Sequence, residues 1–385
     1  MKPPEPRMRC IADIDPHEIE RRRDAMRRVW SYRRVDHIPI GVWMDDFSRH
    51  TLREQCENGL AQYEANVTSI ERCLRCLPDD YIPYARVWPG YMTIGTMFGI
   101  PVHWSDDPNQ APGLAFHPVT DMGQVYGLQR PDPLRDGLMP HNLRWIGYFA
   151  SHLPKEICLA GIDLGGPMNT AKDLLDTNLL YTAFYDGPEE FHHLLGLAAD
   201  VQTGCYDAII HAAGGMDRLA SIDFDPLWAP EGCRGFVSDD VCASFGPEMF
   251  REFSMPYHNR IFSRFGGGRI HNCGPHPSRD LYPEHDPPVR GLNCAFRYTR
   301  AELPAMRESF RGKNIVIELN FDFGETFDEI VRGYEEAAEA LAPDVAAIPF
   351  AFLNDTWEDD AVSGLYEALR TISERYAASM NWRNG

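Results

Sequence analysis

The chain has 385 residues, 44% of them hydrophobic and 24% charged, and a formal net charge of −20. These are the proportions of an ordinary globular protein, and no apolar run approaches the roughly 18 residues that a membrane-spanning helix needs. The acidic balance argues against a nucleic-acid partner, because phosphate contacts need a basic face, while the length admits a single α/β barrel with extensions.

The first residues, "MKPPEPRMRCIADIDPHE", lack the apolar core of a signal peptide, so a cytoplasmic location is expected, with the ten cysteines mostly free thiols. The run "IERRRDAMRRVWSYRR" is locally basic, but its spacing fits a solvated helix leading into the fold. Residues 1–35 are therefore expected to form an N-terminal helical extension and 36–385 one α/β domain.

Beyond residue 36, short apolar runs alternate with longer helical patterns, the mark of parallel βα units. The strand candidates are "IPIGVW" (38–43), "YIPYARVW" (81–88), "CLAGID" (158–163), "GFVSD" (235–239), "GRIHNC" (268–273), "VRGLNC" (289–294), "NIVIEL" (314–319) and "AAIPFAF" (346–352). Several are near-continuously apolar, as strands covered on both faces should be. Between them, "GPEMFREFSMPYHNRIFSRF" and "TFDEIVRGYEEAAEALA" carry apolar residues at helical spacing. Eight strands with intervening helices close most simply into a (β/α)8 TIM barrel. A doubly wound sheet is the alternative, but no G-x-G-x-x-G follows an early strand. Cys73 and Cys76 read as one face of a helix rather than a zinc pair, since no second pair follows at zinc-ribbon spacing.

In a barrel, chemistry sits at the carboxyl ends of the strands. Those ends read Trp43 to Asp46, Trp88, Asp163, Asp239 and Asp240, His271 and Cys273, Cys294, Glu318 and Asn320, then Asn354 and Asp355. His271 and Cys273 stand on alternate positions of one strand and point to one face, so both can reach one metal ion; the other reading is a buried thiol and a hydrogen-bonded histidine beside the Gly274-Pro275 turn. Asp239 and Asp240 are either an acid/base pair, in which the closeness of two like charges pushes one carboxylate's pKa up, or one faces the barrel while the other caps the following loop. Asp45 and Asp46 allow the same acid/base reading, the alternative being solvated loop residues. Trp43, Trp88, Trp104, Phe245 and Tyr257 either line an apolar pocket or belong to the core.

The segment "VSDDVCASFGPEMFREFSMPYHNRIFSRFGGGRIHNCG", with support from "IDLGGPMNTAKDLL" and "YMTIGTMFGIPVHWSDD", resembles the central block of the uroporphyrinogen decarboxylase superfamily, which includes cobalamin-dependent methyltransferases. The resemblance implies the (β/α)8 barrel with its site in the carboxyl-end funnel, and commonly a homodimer. Where uroporphyrinogen decarboxylases carry an arginine-rich segment this chain reads "GVWMDDFSRHTLRE", whose aspartates would repel a polyanionic porphyrinogen.

The methyltransferase branch holds zinc with a His-x-Cys pair, matched by His271 and Cys273, and with a later cysteine, which "AAIPFAFLNDT" lacks. Cys294 and Glu318 are the candidates for the third ligand, Cys294 slightly favoured. The expectation is thus a zinc-dependent methyltransferase or demethylase moving a methyl group between a small molecule and a corrinoid carried on a separate protein. Its catalytic residues would be Asp239, Asp240 and Glu318, its metal ligands His271, Cys273 and Cys294, and its pocket would include Asp45, Trp88, Asp163, Tyr257 and Asn320. The alternative is a metal-free decarboxylase-type lyase in which a strand-end aspartate stabilises a protonated intermediate.

Overall fold

A computed structural model describes residues 11–383. The charged opening of the chain, with Cys10 and the first part of the expected extension, lies outside the described residues. The wall of the molecule is parallel β structure made of β1 (Gly41–Asp45), β2 (Tyr84–Arg86), β3 (Cys158–Ala160), β4 (Gly235–Ser238), β5 (Gly268–His271), β6 (Val289–Ala295), β7 (Val316–Phe321) and β8 (Ala347–Asn354). Six of them form one curled sheet in the order β1-β8-β7-β6-β5-β4, every pair parallel, and β2 pairs with β3. The Tyr84 hydroxyl donates to the Val42 carbonyl (3.1 Å) and so ties β2 to β1. Beyond β3, Ala220 N–H donates to the Leu159 carbonyl (2.8 Å) and Gly161 N–H to the Asp223 carbonyl (3.0 Å), so the segment 219–223 runs alongside as a further stave. The eight strands, with this irregular stave as an addition beside β3, make the (β/α)8 type of barrel expected from the alternation of strands and helices.

Each expected strand is found, with ends moved by one to three residues for local reasons. Pro39 has no N–H to give a ladder, and β1 starts after it; Pro83 and Pro89 bracket β2 in the same way. β3 stops at Gly161, where a Cβ would lie 1.9 Å from the Ile222 carbonyl oxygen, so only glycine lets the neighbouring stave approach. The helix after β4 is not continuous: Pro247–Met249, a π-turn over Phe250–Ser254, and Met255–Phe262. Pro256, in the first turn of the last piece, lacks the N–H a regular helix needs at that point.

The basic helix Pro16–Trp30 is capped by Asp15, whose carboxylate accepts from His17 N–H (2.9 Å). Its arginines are spent on structure: Arg22 bonds the Pro78 and Tyr81 carbonyls, and Arg23 reaches the Cys158 sulfur at 3.1 Å. Trp30 packs so closely on β6 that a Cβ on Gly291 would sit 2.8 Å from its ring. This helix therefore covers the amino-terminal mouth of the barrel and leaves the carboxyl mouth open. The cysteines among the described residues are all free thiols, and Cys73 and Cys76 are buried on the helix Gly59–Cys76. No helix of the described residues is long and apolar enough to cross a membrane.

Candidate metal centre and cavity

His271 is the last residue of β5 and Ser238 the last of β4, and the two are register partners. Asp240 and Cys273, each two residues further on, therefore come level above them. His271 Nε2 lies 3.4 Å from Asp240 Oδ1 and 3.5 Å from Cys273 Sγ, and one donor atom from each residue falls within 4.8 Å of the others. Asp240 is held from behind: its carboxylate accepts from Asn169 Nδ2 (3.0 Å), Ser238 Oγ (3.1 Å) and Cys273 N–H (3.3 Å).

The tautomer of His271 follows from its other side. Asn293 donates through Nδ2 to Asp225 Oδ2 (2.7 Å) and Glu318 Oε2 (3.4 Å), while its Oδ1 accepts from Asn320 Nδ2 (2.9 Å) and lies 2.6 Å from His271 Nδ1. An amide oxygen only accepts, so Nδ1 carries hydrogen and Nε2 is turned toward Asp240 and Cys273. One layer lower, the fully buried Arg269 donates to Glu318 Oε1 (2.5 Å), Ser221 Oγ (2.7 Å) and Asp225 Oδ2 (3.5 Å), which fixes the carboxylates that fix Asn293. Burial opposes charge on His271, but Asp240 and Cys273 outweigh it and hold the imidazole well above its ordinary pKa; Asp240 is held below the usual carboxylate range by His271 despite its own burial. The site is thus electrostatically set for positive charge between these three groups. Nitrogen, thiolate and carboxylate donors with one side open are a set that suits zinc, and zinc with Cys273 and Asp240 is neutral overall.

Above the cluster opens a cavity of about 780 Å³ lined by Trp43, Trp88, Tyr91, Phe224, Phe323 and Phe352, with Asp45, Asp163, Asp322, Asn320 and Asn354 among its polar groups. The cations on the wall are spoken for: Arg86 is paired with Asp45 and lies over the Trp43 ring, 3.5 Å from its centroid, and Lys172 is paired with Asp173 at 3.0 Å. Burial pushes the Asp163 carboxyl up to about 7, partly opposed by a hydrogen bond from Gly165 N–H.

The structure brings together His271, Cys273 and Asp240, and puts Asp45, Trp88, Asp163 and Asn320 on the cavity wall. It does not bring in four others. Cys294 follows Asn293 on β6; since Asn293 faces inward beside His271, alternation sends the thiol outward, where Thr299 Oγ1 lies 3.8 Å away and burial pushes its pKa up to about 12. Asp240, not Cys294, is the third donor atom that lies within reach of His271 and Cys273. Glu318 does face inward but in the Arg269 layer beneath the cluster. Asp239 turns away from its neighbour to meet His258 Nε2 at 2.9 Å in the closed interior. Tyr257 stands between helices and bonds the His192 carbonyl (3.1 Å). The residues that sequence reasoning missed are Asn293, Asn169, Arg86 and Asp223. Only Asn293 carried a visible signal, a polar residue inside the apolar run "VRGLNC".

Fold and site together define a (β/α)8 barrel with a His/Cys/Asp donor set under an aromatic-lined cavity at its carboxyl mouth. The chain belongs to the uroporphyrinogen decarboxylase family, whose model, "Uroporphyrinogen decarboxylase (URO-D)", matches residues 23–286. Among solved structures it is similar to a methyltransferase from Methanosarcina mazei, with a TM-score of 0.63 and 17% identity over 90% of this chain and 98% of the other, a likeness of fold. No curated protein matches.

Proposed function

We propose that this chain is a zinc-dependent methyltransferase or demethylase that moves a methyl group between a small molecule and a corrinoid carried on a separate protein. The observation that carries the reading is the convergence of His271 Nε2, Cys273 Sγ and Asp240 Oδ1 beneath a cavity of small-molecule size. Zinc held there would act as a Lewis acid on the heteroatom that bears or receives the methyl group. The rest is done by the chain itself. Asn293 orients His271, Asn169 and Ser238 orient Asp240, and the aromatic wall excludes water around the substrate. A polycarboxylated porphyrinogen is a poor fit for a wall on which Arg86 and Lys172 are already paired and Asp163 and Asp322 add negative charge. The similar fold of the Methanosarcina mazei methyltransferase supports the same direction.

Zinc stoichiometry measured by elemental analysis tests the site. Wild type should bind one ion, His271→Ala, Cys273→Ala and Asp240→Ala should lose it, and Cys294→Ala should keep it. Methyl transfer to a reduced corrinoid tests the reaction. Full zinc retention in the first two variants would overturn the metal reading. The metal-free lyase reading draws on Asp163, a strand-end aspartate on the cavity wall; activity that survives both chelation and Cys273→Ala would favour it.

A further inference from the structure

Of the charged groups on the cavity wall, all but one have a counter-charge. Arg86 is paired with Asp45, Lys172 with Asp173 at 3.0 Å, and Asp322 with Arg297 at 3.8 Å. His271, Cys273 and Asp240 are turned toward one another, and a zinc ion between them would cancel the thiolate and the carboxylate. Asp163 is what remains. It lies on the wall with 4% of its surface exposed, accepts from Gly165 N–H at 3.1 Å and pairs with no cation among the described residues. No cation stands behind it either: the neighbouring Asp223 accepts from Phe224 N–H (2.7 Å) and Leu164 N–H (3.4 Å) and has Tyr206 Oη at 2.9 Å. A carboxylate so far out of water is costly unless positive charge comes beside it, and the side left open to such a charge is the cavity.

The rings of this wall are of the kind that holds an organic cation. Phe224 follows Asp223 on the stave beside Asp163, and its ring meets those of Trp43 (6.4 Å between centroids) and His271 (5.6 Å) edge to face. Trp43 packs on Phe352 (5.2 Å) and Phe352 on Phe323 (5.4 Å), which extends the aromatic surface across the cavity. The wall already makes one such contact, since the Arg86 guanidinium lies 3.5 Å from the Trp43 centroid and 5.6 Å from that of Trp88. Phe323 and Tyr91, 45% and 59% exposed, still present open rings to the cavity. An aromatic face attracts a cation by its quadrupole. A bare metal ion beside Asp163 would need several more oxygen ligands, and an anion would be repelled by it. Carboxylate and rings together select an alkylammonium group.

We infer that Asp163 is the counter-ion of a small alkylammonium substrate, whose nitrogen rests beside the carboxylate and against the Phe224 ring. The inference rests on the methyl-transfer reading and names the substrate class for it. The ammonium group is the handle by which the molecule is recognised, and an oxygen or sulfur atom at its other end is the one presented to the metal centre. The Phe224 ring stands between the Asp163 stave and the His271 ring, so both ends belong to one small molecule.

Titration calorimetry in the presence of zinc tests this with choline and 3,3-dimethylbutan-1-ol, its neutral isostere with carbon in place of nitrogen and the same hydroxyl. Wild type should bind choline about 10–100-fold more tightly than the alcohol. Equal affinities, or no binding of choline, overturn the proposal. Asp163→Asn keeps an oxygen for Gly165 N–H and should bring choline down to the affinity of the alcohol, with the alcohol unchanged; choline binding as tight as in wild type overturns it as well. Should that variant fail to fold, the wild-type comparison still decides, and Phe224→Leu adds a second reading. It keeps apolar volume but removes the ring face, so it should weaken choline severalfold more than the alcohol, and equal weakening counts against the proposal. Methyl transfer to reduced cobalamin is measured apart from binding. Selective choline binding without any methyl transfer sinks the methyl-transfer reading alone, whereas methyl transfer by a protein that does not prefer choline to the alcohol sinks the present inference alone.

Discussion

The link from the Arg269 layer to the metal donors can be broken at one residue. Asn293→Ala removes the acceptor of His271 Nδ1 (2.6 Å), the acceptor of Asn320 Nδ2 (2.9 Å) and the donor to Asp225 Oδ2 (2.7 Å) in a single change, without touching any of the three proposed ligands. Groups that hold a metal-bound histidine typically matter by about 10–100-fold in affinity, which is about 1.4–2.7 kcal/mol. The upper half of that range is expected, because the imidazole loses its only partner on that side and is free to turn. Stability should fall as well, since each buried group left without a partner costs about 1–3 kcal/mol. A competition titration against a chromophoric chelator gives the zinc dissociation constant, and urea unfolding gives the stability. Affinity within twofold of wild type would refute the idea that Asn293 holds the histidine for the metal. A loss as complete as that of His271→Ala would instead mean that the variant had dismantled the site.

Four other outcomes follow from the same contacts. Cys294→Ala should retain zinc and lose about 1–3 kcal/mol of stability, as a small buried group removed from a packed core does. His258→Ala strands the buried Asp239 carboxylate, which it now meets at 2.9 Å, and should cost about 3–5 kcal/mol while the protein that remains folded still takes up zinc. Thr326→Ala removes the capping box that Thr326 and Glu329 make at the start of the helix Phe327–Leu341, a loss of about 1 kcal/mol visible as a shifted urea midpoint. Asp163→Asn should change stability with a definite sign. An aspartate held up to about 7 by burial binds more protons folded than unfolded, so it weakens the fold as pH rises from its ordinary value through 7. The amide should therefore leave stability near pH 4 almost unchanged and raise it by about 1–4 kcal/mol at pH 8, measured on metal-free protein.

The barrel was legible because its signal is repeated. Eight apolar runs separated by helical patterns survive errors of a residue or two at each end, and the prolines that moved those ends were themselves in the sequence. The pair His271 and Cys273 was legible for a related reason: two residues on one strand share a face whatever the rest of the chain does. The third donor needed information about two strands at once. Asp240 reaches the cluster because Ser238 and His271 are register partners, and a register between strands thirty residues apart is set by packing, not by either segment alone.

Alternation within β6 then explains why the thiol was the wrong choice there. With Gly291 and Asn293 on the inner face, a cysteine at 294 has to face the helices, so the chemically attractive residue is the excluded one and the unremarkable amide is the one that touches the histidine. The same rule separates Asp239 from Asp240, which look like an acid pair in the sequence and point to opposite sides of the wall. Asp163 and Asp223, sixty positions apart in the chain, come to neighbouring staves, where Leu164 N–H donates to Asp223 Oδ1. Charge pairing in this barrel is thus decided by which residues share a layer of the interior. A sequence displays neighbours along the chain, and in parallel strands those neighbours never share a layer face.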